Sequence, residues 1–277
     1  MEPATDIVRK HDRLRFTATL YAPAEKRPAL LALYAFNVEI ARIRELVNEP
    51  MAGEMRLQWW RDALSASDGE TATGHALADE LRQAITHCGL PMAAFDNLLE
   101  ARRMDLYSDP LPTRNDLEGY CGDTGGGLVQ LSNLILDPKA ASAAGDAAGH
   151  AGCALAIAGI LSLLPVNRHR GQCFVPDDIL RSAGASAEDL TAAEPGAAAT
   201  RVLAAMIALG RDHVSRFEKL AGRLPPSLRA AFLPAATAKS WFNVLERAGA
   251  DVFQRPVVLS PLRQSAIALR RAIFGWR

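Results

Sequence analysis

Apolar residues along the chain recur three and four positions apart, and no stretch alternates with period two between turn residues. This pattern predicts helices throughout and argues against a sheet. Prolines, glycines and polar clusters divide it into helix-sized pieces. One piece runs from Pro28 to about Val47 and stops at Asn48-Glu49-Pro50. Others cover roughly Gly53 to Ala66, Gly74 to His87, and Met92 to Tyr107. Thr113 with Asp116 is a candidate capping pair for a segment ending at Asp137-Pro138. An apolar segment from Ala140 to Leu164 follows, then a polar loop that carries the basic string Arg168-His169-Arg170, read first as solvated and second as an anion-binding loop. A short helix opens at Pro176-Asp177-Asp178, and Ser186 with Asp189 is a second capping pair. The last helices run from about Ala197 to Ala221, Ser227 to Ala248 and Pro261 to Trp276. The cluster Gly125-Gly126-Gly127 falls inside a helical pattern, where glycine is unfavourable; it predicts a close helix approach or a kink near a cavity.

Composition narrows the class. A chain of 277 residues with 49% hydrophobic side chains can bury a substantial core, and one domain over residues 1–277 is expected. With 31 basic and 31 acidic residues it lacks the basic excess of a nucleic-acid-coating protein. Cys88, Cys121, Cys153 and Cys173 form no CxxC pair, which argues against a zinc ribbon or redox motif; their even number allows two disulfides, but buried thiols are the better reading. The first residues are charged, and the longest apolar run, about Cys153 to Val166, falls short of the ~20 residues that span a bilayer. A cytoplasmic protein is expected, with peripheral contact at the inner membrane left open. P-loop, dinucleotide, HExxH, GxSxG and EF-hand signatures are absent.

Phe16, Pro23, Lys26-Arg27 and the run Ala32-Leu33-Tyr34-Ala35-Phe36 come in an order that resembles the squalene/phytoene synthase family. Trp60-Arg61, Asp105, Tyr120-Cys121 with Gly125-Gly126, and the string Gly171 to Pro176 continue the resemblance to about residue 180. It implies an all-α, single-domain, isoprenoid-synthase-like bundle with a central cavity. It also implies a chemistry in which two carboxylate clusters face each other and Mg²⁺ ions bridge them to a diphosphate leaving group. This chain departs from that pattern. The first cluster aligns with Ala41-Arg42-Ile43-Arg44-Glu45, where only Glu45 is acidic. The second aligns with Leu163-Leu164-Pro165-Val166-Asn167, which has no acid and a proline that breaks the helix.

Asn37-Val38-Glu39 and the string Met55 to Trp60 resemble the branch of the family that includes a mitochondrial complex I assembly factor. The resemblance implies a non-catalytic protein with no metal or cofactor. Such a protein supports assembly of NADH:quinone oxidoreductase, its partners being complex I subunits or a prenyl lipid held in the cavity. One alternative is an active prenyltransferase that condenses two prenyl diphosphates with Mg²⁺; another is a lipid carrier that uses the same cavity without chemistry. Candidate cavity residues are Tyr34, Phe36, Asn37, Arg42, Glu45, Arg56, Gln58, Trp60, Arg61, Asp105 and Tyr120. Arg42 is the candidate to hold a phosphate directly with its guanidinium fork. The competing readings are that the aromatics are plain core and that Glu45 pairs with a neighbouring arginine.

The C-terminal segment from Val252 to Arg277 holds five arginines and no acid, so the rest of the chain carries 26 basic against 31 acidic residues. Leu262, Ala266, Leu269 and Ile273 recur at helical spacing beside Arg263, Arg270 and Arg271. Two readings stand: a basic amphipathic helix on an anionic membrane or acidic partner, or a last helix packed on the body.

Overall fold

The computed structural model describes residues 3–65, 73–192 and 194–276, and every regular element among them is helical. The helix end expected at Ala66, and Arg277 of the C-terminal arginine set, lie outside the described residues. In order, the helices are α1 (Ala4–His11), α2 (Arg13–Thr19), α3 (Arg27–Ala41), α4 (Ile43–Leu46), α5 (Pro50–Ser65) and α6 (Ala76–Cys88). They continue with α7 (Met92–Arg103), α8 (Arg114–Cys121), α9 (Gly127–Leu136), α10 (Pro138–Ala141), α11 (Gly145–Ser162) and α12 (Leu164–His169). The last six are α13 (Asp177–Ser182), α14 (Ala187–Thr191), α15 (Ala197–Ala221), α16 (Arg229–Phe232), α17 (Ala238–Ala248) and α18 (Pro261–Phe274).

Local signals account for most boundaries. Pro28, Pro138 and Pro261 sit in first turns, where a missing N–H leaves no helical bond unmade. Thr113–Asp116 and Ser186–Asp189 both form complete capping boxes. Several boundaries differ from the sequence reading. The charged start folds into α1 and α2, with Asp12 capping α2 by accepting from the Arg15 backbone N–H. The first long piece breaks at Arg42, between α3 and α4, with no proline or glycine there. The piece from Ser227 to Ala248 is not one helix: Pro234 interrupts it, and 3₁₀ turns flank α16.

Two helices are buried on nearly all sides. In α3, Leu30, Leu33, Tyr34, Phe36, Val38 and Ile40 are all buried. In α11 small residues dominate, and the helix packs along α15 on one side and the glycine cluster on the other. The stretch Pro138–Ser162 is long and apolar enough to cross a bilayer by composition alone, longer than the apolar run read from sequence. Here it lies in the bundle with more than half of that apolar window buried. The four cysteines are free thiols.

At the α11–α15 contact, the Nδ1 atoms of His150 and His213 lie 3.1 Å apart, and His213 Nε2 is 3.0 Å from Glu118 Oε1. Burial, then His213 and Arg216, hold His150 below the ordinary imidazole range. Burial raises the Glu118 carboxyl, but Arg114 and His213 outweigh it and leave it low. Each depressed group contributes stability that is complete above its unfolded value and is lost as pH falls through its folded value. Stability is therefore expected to fall from about pH 7 towards pH 5 as imidazole titrates. His150→Gln should flatten that slope in urea melts; an unaltered slope would place the titration on another group.

Candidate functional site

A cavity of about 560 Å³ opens where the ends of several helices meet. One wall comes from the α3–α4 break, with Asn37, Ala41, Arg44 and Glu45. Another comes from the end of α11 and from α12, with Ala156, Gly159, Leu163, Asn167 and Arg170. Positions 41 and 45, and 163 and 167, are each four residues apart. These are the two places where the sequence resemblance puts the carboxylate clusters, and both face the same space. The helix breaks at Leu163 as expected, with Pro165 in the first turn of α12. The α1–α2 corner adds His11, Asp12 and Arg15, while Leu14, Leu128, Leu155, Phe174 and Trp241 make the lining largely apolar.

Arg102 organises the polar side. Its Nη1 donates to Asp105 Oδ2 and to the Tyr120 hydroxyl, each at 3.0 Å, and its Nη2 lies 3.4 Å from Asn37 Oδ1. The Tyr120 hydroxyl donates to Asp105 Oδ1 at 2.7 Å. Burial and then the Asp105 charge push the Tyr120 phenol well above its ordinary value, so it stays protonated and keeps this bond. Burial works against the Arg102 charge, but Tyr120 and Asp105 outweigh it. Behind the cluster, Gln172 Nε2 donates to the carbonyls of Asp105 and Tyr107 at 2.8 and 3.2 Å. Gly171 makes this approach by turning with φ of 66°, a conformation that side chains disfavour.

Charge in the cavity is unevenly paired. Asp12 pairs with Arg15 at 2.6 Å, Glu45 with Arg42 at 3.2 Å, and Asp105 with Arg102 at 3.0 Å. Among the described residues Arg44 donates only to the Val47 carbonyl at 3.2 Å, and its Nε is buried without a partner there. Arg170 makes no ion pair among the described residues. Two guanidiniums thus remain for an anion. A Mg²⁺–diphosphate clamp needs carboxylates free to bind metal. The three that line the cavity are each held by an arginine. Among the described residues no group of three His, Cys, Asp or Glu side chains is placed to hold a metal ion. The residues present do not fit such a clamp.

Of the sequence candidates, Asn37, Glu45, Asp105 and Tyr120 line the cavity. The others do not. Phe36 is buried against Trp60 and Phe95, with ring centroids 5.0 and 5.8 Å away. Tyr34 is buried on Ser132, 3.0 Å between hydroxyls. Both faces of α3 are apolar, so helical spacing alone did not show which of them meets the cavity. Arg42 is turned to Glu45 and His11, and Arg44 takes the place expected for it. Arg56 is exposed, and Gln58 and Arg61 join an outer network with Asp62, Asp96 and Glu100. Arg15, Arg44, Arg102 and Gln172 were missed, although the string Gly171 to Pro176 pointed to Gln172. Arg170 belongs to the basic string for which anion binding is the second reading of the sequence. The basic string at 168–170 closes α12 rather than forming a loop.

The profile described as squalene/phytoene synthase matches residues 8–263. The NADH dehydrogenase (ubiquinone) complex I assembly factor 6 of Rattus norvegicus is 27% identical over 272 residues, covering 98% of this chain and 80% of that protein. Presqualene diphosphate synthase of Rhodopseudomonas palustris is 24% identical over 262 residues, 93% of this chain and 92% of the enzyme. The crystal structure of a dehydrosqualene synthase in complex with ligand superposes with a TM-score of 0.82 at 17% identity, over 96% of this chain and 93% of that one. That likeness establishes the fold, an all-α bundle with a central cavity.

Proposed function

The chain belongs to the squalene/phytoene synthase family, and from that premise we propose that it is a non-catalytic member that holds a prenyl-type lipid and supports assembly of NADH:quinone oxidoreductase. The observation that carries this reading is the exchange at the two facing helix positions. Ala41, Leu163 and Asn167 stand where metal-binding carboxylates belong, and Arg42 already engages Glu45. An apolar cavity with Arg44 and Arg170 suits a long hydrocarbon with an anionic head. A guanidinium binds a phosphate without metal but does not drive ionisation of the leaving group as a metal clamp does. The relationship to the assembly factor supports the complex I role.

The deciding experiment measures pyrophosphate release and hydrocarbon product from farnesyl and geranylgeranyl diphosphate, with Mg²⁺ and with EDTA. No turnover is expected in either. Farnesyl diphosphate should still bind in EDTA, and Arg44→Gln should weaken that binding about tenfold or more, the worth of one charged hydrogen bond. A deletion strain should lose NADH:quinone oxidoreductase activity from its membranes. Metal-dependent turnover would overturn the non-catalytic reading in favour of a prenyltransferase, a reading that the likeness to a presqualene diphosphate synthase also supports.

A further inference from the structure

The stripe on α18 faces away from the protein. Ala268 is the buried residue of this helix, and Arg229 Nη1 donates to the Ala272 carbonyl at 2.6 Å, which ties the inner face to α16. Trp276 packs edge-on to Phe217 at 5.7 Å, and Arg271 turns inward over Trp276. The opposite face carries Leu262, Leu269 and Ile273, which are 84%, 47% and 60% exposed. Their spacing, with exposed Ala266, makes one continuous line along the helix. Val258 and Phe274, each 71% exposed, extend it at both ends. Arg263 and Arg270 are exposed beside the line, one heptad apart, and make no ion pair among the described residues.

We propose that this outward face of α18 docks on an anionic bilayer surface. Leu262, Leu269, Ile273 and Phe274 enter the headgroup–acyl boundary, and Arg263 and Arg270 reach lipid phosphates. Charge decides the occupant. The segment from Val252 onward has no acid, and the rest of the chain is net acidic, so the molecule presents its basic face to an anionic surface and its acidic body to solvent. A second copy seated on the same face would set arginines against arginines with no acid to relieve them. With 14 residues, α18 is too short to span and lies in the interface instead. This surface is separate from the cavity and stands whatever the cavity holds.

The test uses the whole chain with vesicles of phosphatidylcholine alone and of phosphatidylcholine with phosphatidylglycerol, scored by flotation. Binding is expected to the anionic vesicles only, and to be lost at about 1 M salt, where charges are screened beyond about 3 Å. The double variant R263Q/R270Q should bind about thirtyfold more weakly, from about fivefold per arginine at an anionic surface. L262S/I273S should also bind more weakly. All four side chains are exposed, so thermal melts should match wild type. Equal binding by wild type and R263Q/R270Q would overturn the proposal. So would absence of vesicle binding, with or without a concentration-dependent dimer in sedimentation.

Discussion

Gly152→Ala is expected to destabilise the protein by about 3 kcal/mol or more, at the upper end for overpacking. A Cβ on Gly152 would stand 2.0 Å from the Gly126 nitrogen, 2.3 Å from the Gly125 carbonyl carbon and 2.4 Å from the Gly126 Cα. These are backbone atoms, which cannot rotate aside as a side chain does. The reverse approach is as close: a Cβ on Gly125 would meet the Gly152 carbonyl oxygen at 2.5 Å. Here the chain between α8 and α9 is a π-helical segment, Gly122–Gly126, pressed against α11. Making room would push α11 away from the cluster and shift Gly125 and Ala156, which both line the cavity. Thermal melts should show a loss on the order of 10 °C. Gly149→Ala is the control. Its Cβ would meet nothing within 4 Å, and alanine is the better helix former by about 1 kcal/mol, so no loss is expected. Matching melts for Gly152→Ala and wild type would show that the close approach is not required.

Arg102→Met is expected to lower stability by about 3–5 kcal/mol in urea unfolding, the range for removing one partner of a buried ion pair. The side chains of Arg102 and Asp105 are 15% and 13% exposed, so little solvent reaches the carboxylate left behind. Tyr120 alone would then answer its charge. Adding Asp105→Asn removes the stranded charge, and the double variant should recover at least about 1 kcal/mol of the loss, because the two sites are coupled. A double variant no more stable than Arg102→Met would mean that Arg102 acts through its packing rather than its charge. Both variants also bear on the cavity, since Arg102, Asp105, Tyr120 and Asn37 form one connected wall of it.

The helices and the family were within reach of the sequence because their signals are local. Proline in a first turn, Thr113 and Ser186 as caps, and Gly89 in the left-handed conformation after α6 act within a few residues of where they stand. The glycine cluster likewise announced a close approach before its partner, Gly152, was known. That no acid stands at positions 41 and 163–167, where the family resemblance expects carboxylates, was visible in the chain itself. The break between α3 and α4 carried no such mark. Ala41-Arg42-Ile43 contains no breaker, and the one-residue interruption re-aims both arginines, so Arg44 rather than Arg42 meets the cavity.

By itself the sequence determined the helical class, most boundaries, and which positions are apolar or charged. Only the tertiary structure decided which way each of those positions faces. Tyr34 and Phe36 are buried because α3 is surrounded, so period 3.6 cannot tell a core face from a cavity face. Arg102 finds Asn37, Asp105 and Tyr120 across gaps of up to 65 residues, a meeting that exists only once α3, α7 and α8 are packed. The line from Leu262 to Ile273 was evident as a stripe, but periodicity is the same whether a stripe packs inward or looks out. What turns it outward is the seating of Ala268 and the hold of Arg229 on the other face of α18.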